Sequence, residues 1–159
     1  MTRNITNKDF DFIYQLYMHP LVNPYLLYEL MPPEAFKPIF DDLLYKNEVY
    51  IFSDKNVSVG MFKLISLQHR SSHINYLGGL AIHPDFAGKG YGKKMFSAIL
   101  KIGQSRNLKR IELSVATTNI NAIKLYEKMG FEAEGILKKY TYLKAENKYI
   151  DELYMAYLF

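Results

Sequence analysis

The chain contains no cysteine. That absence removes a disulfide framework, a thiolate nucleophile and any cysteine-ligated zinc. The opening residues, "MTRNITNKDFDF", lack the apolar stretch of a secretory signal. No apolar run approaches the roughly 20 residues that span a bilayer as a helix. A cytoplasmic protein without membrane association is therefore expected. Neither an internal repeat nor a low-complexity linker divides the 159 residues, so a single domain over 1–159 is expected. Charge of one sign is only slightly in excess. A net charge of +4 and a pI near 9.0 suit an anionic ligand but do not by themselves argue for nucleic acid. With 49% hydrophobic and 15% aromatic residues, the composition is that of a chain that buries a core.

The stretch "DFAGKGYGKKMF", residues 85–96, places Gly88, Gly90 and Gly92 at every second position among lysines. It lacks the parts of two familiar phosphate loops. Aligned on Gly92-Lys93, the Walker pattern requires a glycine at Ala87 and a Ser or Thr at Lys94. The dinucleotide fingerprint requires a glycine at Lys93 or at Met95. A solvated lysine-glycine turn is the plain alternative. The flanks favour more than a turn. "YLGGLAIHP" before the loop reads as a buried strand. Met95, Phe96, Ala98, Ile99 and Ile102 after it recur at helical spacing through roughly Ser105. Strand, glycine loop and helix in that order set the N–H groups of residues 88–93 at a helix N-terminus. Donors without partners and partial positive charge accumulate there. Such a loop binds phosphate through backbone amides with no metal ligand.

Along the rest of the chain, "TNKDFDFIYQLYMHP" reads as a first helix with a Thr6/Asp9 capping box. "PPEAFKPIFDDLLYK" reads as a second helix interrupted at Pro38. "EVYIFSDKNVSVGMFKLISL" suggests a hairpin turning at Asp54-Lys55-Asn56, and a strand follows near residues 73–83. "KRIELSVAT" is a further strand. "NINAIKLYEKM" is a fourth helix ended by Gly130, and two strands close the chain. The last of these is apolar on both alternating faces, as an interior strand is. The expected fold is α/β, with a mixed, mostly antiparallel sheet of six to seven strands and about four helices.

"LAIHPDFAGKGYGKKMF" followed by "ELSVATTNINAIKLYEKMGFEAEG" resembles the GNAT superfamily of N-acetyltransferases. Ala87-Gly88-Lys89-Gly90-Tyr91-Gly92 occupies that family's Gln/Arg-x-x-Gly-x-Gly/Ala motif, with Ala87 departing from it. Asn119, Ala122, Leu125, Tyr126, Gly130 and Phe131 meet its second signature. The resemblance covers residues 57–159 well and the first two helices loosely. The two ends look like the branch containing ribosomal-protein and small-amine acetyltransferases. It implies a single-domain GNAT-like fold and acetyl-CoA as cosubstrate, without metal. It implies that the amides of 88–93, including Lys93, cradle the coenzyme's diphosphate, and that Leu80 and Ile82 bond the pantetheine arm through their main chain. Asn119 would touch the cofactor, cap its helix, or do both. Ala87 keeps its backbone N–H but loses the family's side-chain contact.

Acetyl transfer to an amine needs a neutral nucleophile, a stabilised oxyanion and a protonated leaving thiolate. An amine with a pKa of about 10 must lose a proton at neutral pH. A backbone N–H near Ala81 or Ile82 is the oxyanion candidate. Tyr126 matches the family's general acid; its other reading is a core tyrosine. The strand before the loop carries no Glu, so the base candidates are His73 and Glu29, or water alone. Glu112 reads as a surface or sheet-face charge and His83 as a loop residue with no second metal ligand nearby. Lys138, Lys139, Lys144 and Lys148 read as a solvated rim, or as a group steering an acidic acceptor or touching the adenosine 3′-phosphate with Lys93 or Lys94. The expected partner is a primary amine, of a small molecule or a protein N-terminus, in a monomer or homodimer. A non-catalytic acyl-CoA-binding module and, less well, a lysine-based nucleic-acid binder are the alternatives.

Overall fold

The computed structural model describes every residue from Met1 to Phe159. Seven strands and four α-helices form: β1 (Thr2–Asn4), α1 (Phe10–Met18), α2 (Pro33–Lys46), β2 (Val49–Asp54), β3 (Val57–Ser66), β4 (Ile74–Ile82), α3 (Tyr91–Ser105), β5 (Arg110–Ala116), α4 (Ile120–Lys128), β6 (Glu132–Leu143) and β7 (Lys148–Leu158). The strands make one sheet in the order β1-β2-β3-β4-β5-β7-β6. β4 and β5 run parallel, while β1–β2, β2–β3, β5–β7 and β6–β7 are antiparallel. A parallel pair needs a crossover, and α3 supplies it. The α/β fold with a mixed, mostly antiparallel sheet is the one expected. β1 was not: its three residues are too few to show a period.

The chain forms two compact units, Met1–Leu64 with Gly79–Ala98, and Ile65–Gly78 with Ile99–Phe159. In the first, Ile13, Leu16 and Tyr17 of α1 and Phe36, Phe40 and Leu43 of α2 pack with Val49, Ile51, Met61 and Ala81 into one buried cluster. The turn into α1 is set by Asp9, whose carboxylate accepts from the Thr6 N–H at 2.7 Å and the Thr6 hydroxyl at 2.9 Å. Arg3 grips the same carboxylate with two bonds of 2.8 and 2.7 Å and holds its pKa below the usual range. α2 runs through Pro38 without the expected break. Pro38 lies on the exposed side, so the Glu34 carbonyl that loses its helical donor can turn to water, while Phe36 and Phe40 keep the buried side anchored. The β2–β3 hairpin turns on Lys55 and Asn56, both at positive φ (47° and 65°), so the turn is one residue tighter than expected.

In the second unit β7 lies between β5 and β6, the interior position its two apolar faces imply. Ile111, Leu113 and Met155 are buried there, and Leu113 sits opposite Met155. β6 is the edge strand. Its pairing with β7 shifts register near Ala133/Gly135 and again between Leu137 and Thr141, and such irregularity blunts an exposed edge.

Candidate active site

The first unit holds the end of β4 and the glycine loop. β4 pairs with β5 only through Ile74–Tyr76, so beyond Tyr76 its main chain has no ladder partner on the β5 side. Gly79, at φ +53°, lies in this stretch, and a Cβ there would stand 3.1 Å from the Tyr17 hydroxyl. Leu80 and Ile82 are half-buried and Ala81 is buried. β3 approaches this end through Gly60, where any Cβ would lie 2.5 Å from the Ala81 carbonyl oxygen. No periodicity signals Gly60, since only the pairing of two strands shows what its missing side chain allows.

After β4, the His83 ring caps a short turn by accepting from the Asp85 N–H at 3.3 Å. The chain then opens at Gly88 and Gly90, with φ of +72° and +76°, and nothing lies within 4 Å of a Cβ built on either. Ala87 donates its N–H to the Pro84 carbonyl at 3.0 Å, so that amide is engaged within the turn. The first backbone bond into α3 runs from Lys94 N–H to the Gly90 carbonyl at 3.3 Å, and none of the N–H groups of Gly88, Lys89, Gly90, Tyr91, Gly92 and Lys93 has a backbone partner. Two side chains brace the loop from below. Lys89 Nζ donates to the Asp85 carbonyl at 2.8 Å, and the Tyr91 hydroxyl donates to Asp54 at 2.9 Å. Tyr91 therefore has its side chain engaged at the β2–β3 turn while its backbone N–H has no backbone partner. Lys93 and Lys94 are exposed, and Lys94 Nζ lies 4.8 Å from the Tyr91 ring centre.

The second unit holds Asn119 and Tyr126. Asn119 is the N-cap of α4, its side-chain oxygen accepting from the Ala122 N–H at 3.3 Å. Tyr126 is buried, and burial first, then neighbouring Tyr76, pushes its hydroxyl well above the ordinary phenol range. The helix closes just behind it. Phe131 N–H donates to the Tyr126 carbonyl and Gly130 N–H to the Glu127 carbonyl, both at 3.0 Å, with Gly130 at φ +90°. The Tyr126 and Phe131 rings lie 6.2 Å apart. This pair of bonds with its apolar contact is a Schellman cap, and it accounts for the "YEKMGF" part of the second signature.

One face of the sheet in this unit is unusually polar. The Tyr76 hydroxyl lies 2.8 Å from Ser114 Oγ. Arg110 donates to Glu112 at 2.6 Å and clamps Glu134 with bonds of 2.7 and 2.5 Å. Tyr154 stands beside Glu112, and burial, then that carboxylate, raises its hydroxyl pKa. Glu112 is thus a sheet-face charge, buried and held by Arg110 rather than lying at the surface. His73 is exposed in the turn that starts β4, at the opposite end of that strand from the loop, and Glu29 is exposed in the connection between α1 and α2. No group of three or more His, Asp or Glu residues is arranged to hold a metal ion.

Residues 10–131 match the Acetyltransferase (GNAT) family. The chain belongs to that family. Among its relatives, a spermine/spermidine N(1)-acetyltransferase of Bacillus subtilis is 31% identical over 103 residues, 64% of this chain and 63% of the relative. A ribosomal protein bS18-alanine N-acetyltransferase of Haemophilus ducreyi is 35% identical over 82 residues, 50% of this chain and 57% of the relative. The matched stretch thus spans less than two thirds of these GNAT relatives' own length. The fold is that of spermidine N-acetyltransferase from Vibrio cholerae, solved with CoA and spermine: TM-score 0.85 at 22% identity, covering 99% of this chain and 94% of that one. Ribosomal-protein-alanine N-acetyltransferase from Brucella melitensis gives a TM-score of 0.81 at 17% identity, covering 100% and 99%.

Proposed function

We propose that this protein transfers the acetyl group of acetyl-CoA to a primary amine by direct attack, with both substrates bound together. The observation that carries this reading is the row of six unengaged amides at residues 88–93, opening onto space at two positive-φ glycines. A diphosphate fits such a row because each N–H is a fixed donor and the start of α3 adds positive potential. Main-chain groups of Leu80 and Ile82, free of a β5 partner, suit the amide-bearing pantetheine arm. The N–H of Ala81 or Ile82 is the oxyanion donor.

The amine nitrogen attacks the thioester carbon, the C–N bond forms and the C–S bond breaks. Tyr126 gives its proton to the departing sulfur and regains one from the nitrogen. A phenol held above its ordinary pKa stays protonated across the working pH range, as an acid must. A thiolate leaving beside it is penalised by the same desolvation, so the two anions remain comparable. Removal of the first ammonium proton falls to exposed Glu29 through water, or to water alone, since His73 lies at the far end of β4 from Leu80 and Ile82.

CoA at a hundred times its dissociation constant should stabilise the fold by about 2.7 kcal/mol, a Tm rise of several degrees. Thiol release from acetyl-CoA should require an added amine. A CoA-induced shift with no amine-dependent release would leave an acyl-CoA-binding module, and no shift at millimolar CoA overturns the reading. Tyr126→Phe should lower single-turnover acetyl transfer by about 10²–10⁴-fold with CoA affinity nearly unchanged. Full single-turnover activity would make Tyr126 a packing residue.

A further inference from the structure

The carboxylates of the second unit differ sharply in how they are neutralised. Glu112 and Glu134 share Arg110. Asp151 accepts from Lys138 Nζ and from the Lys139 N–H. Glu127, Glu132 and Glu146 are exposed, where water suffices. Glu152 is the exception: it is half-buried on β7, and its one bond is from the neutral Thr141 hydroxyl. A carboxylate withdrawn from water without a cation is costly unless a cation arrives with a ligand.

The strand register shows where Glu152 points. Glu152 is paired with Ala116, and the next residue on that face, Tyr154, is paired with Ser114. Glu152 therefore shares a sheet face with Ser114 and with the Tyr76 hydroxyl bonded to it. Ala116 directly opposite has too short a side chain to cover the carboxylate. On the other side Glu152 is paired with Leu137, which supplies an apolar wall. Carboxylate, aliphatic wall and tyrosine ring together suit an alkylammonium group, whose charge needs a counter-ion and whose methylenes need apolar cover.

Resting on the transferase reading above, we infer that Glu152 is the specificity residue that anchors a second ammonium group of the acceptor. The reacting nitrogen must be neutral when it attacks, so a fixed carboxylate serves best a nitrogen that stays charged. The acceptor class that follows is an aliphatic amine carrying a second cationic nitrogen.

The test compares 1,4-diaminobutane with butylamine as acceptors for the wild type, Glu152→Gln, Glu152→Asp and, as an exposed control, Glu146→Gln. Glu152→Gln should raise KM for the diamine about 10- to 100-fold, the worth of a hydrogen bond to a charged group. Its KM for butylamine, its kcat and its CoA-induced Tm shift should stay within about threefold of wild type, a shift that also shows the variant is folded. Glu152→Asp, which keeps the charge on a shorter arm, should fall between. Glu146→Gln should match wild type. Equal effects on both amines, or none on either, overturn the inference while leaving the transferase intact. Binding of CoA by the wild type with no thiol release for any amine overturns the transferase reading and this inference with it.

Discussion

Gly88 and Gly90 in the loop before α3 and Gly130 after α4 share a backbone conformation but not a use. All three have positive φ, +72°, +76° and +90°. A Cβ added at Gly88 or Gly90 meets nothing within 4 Å, whereas one at Gly130 would stand 3.1 Å from the Tyr157 ring. The amides follow the same division. Those of residues 88–93 have no backbone partner, while Gly130 and Phe131 donate theirs to the end of α4. One motif leaves its space open and its donors without backbone partners. The other fills them from within the chain and fastens the helix end that carries Tyr126. A glycine signature is thus a candidate site only where the space above it is empty.

The largest effect should come from filling that space. Gly90→Asp sets a carboxylate against the position proposed for the diphosphate and should weaken CoA binding by about 100-fold or more, roughly 2.7 kcal/mol. The fold should survive, because Asp tolerates left-handed backbone better than most residues and no neighbour obstructs it. Gly90→Asn, the uncharged match in shape, should lose much less. Calorimetric titration with CoA reads both. Wild-type affinity in a folded Gly90→Asp protein would reduce the loop to a turn.

Gly130→Ala should produce the opposite pattern. A side chain at φ +90° pressed against Tyr157 should cost about 2–3 kcal/mol of stability. CoA affinity should stay within about threefold, because no donor for the ligand is removed. Urea unfolding and CoA titration of the same variant separate the two quantities. A fall in affinity without a fall in stability would move the second motif from fastener to binding site.

Local pattern explains what was legible in the sequence. The helical spacing after Gly92 and the cap residues Asn119 and Gly130 each report on neighbours within one or two turns. α3, α4 and the loop between β4 and α3 stand where those signals put them. What failed depends on long-range pairing. α2 continues through Pro38, whose lost bond faces solvent, and which side of the helix faces solvent is decided by packing of Phe36 and Phe40. The bond from Tyr91 to Asp54 joins residues 37 apart, and Tyr76 meets Ser114 across 38. Arg110 reaches Glu134 and Glu152 faces Ala116 only because β7 lies between β5 and β6. A run of residues does not reveal which carboxylate keeps a cation, because the answer lies on another strand.

The smallest effect concerns Asn119, where a cap and a ligand contact compete for one side chain. Its oxygen already accepts from the Ala122 N–H at 3.3 Å, which leaves the NH₂ group as the part that could serve a cofactor. Asn119→Ala removes both functions and should cost about 1 kcal/mol of stability, the usual value of an N-cap. Asn119→Asp restores the acceptor, and a carboxylate also suits the positive end of α4, so stability should return to wild type or slightly above. CoA affinity should respond differently. If the NH₂ group touches the cofactor, both variants bind CoA about 3- to 10-fold more weakly, the worth of one hydrogen bond. If Asn119 only caps the helix, Asn119→Asp binds CoA as the wild type does while Asn119→Ala is merely less stable. Thermal unfolding with and without saturating CoA distinguishes the two, since a cap moves both curves together and a ligand contact narrows the gap between them.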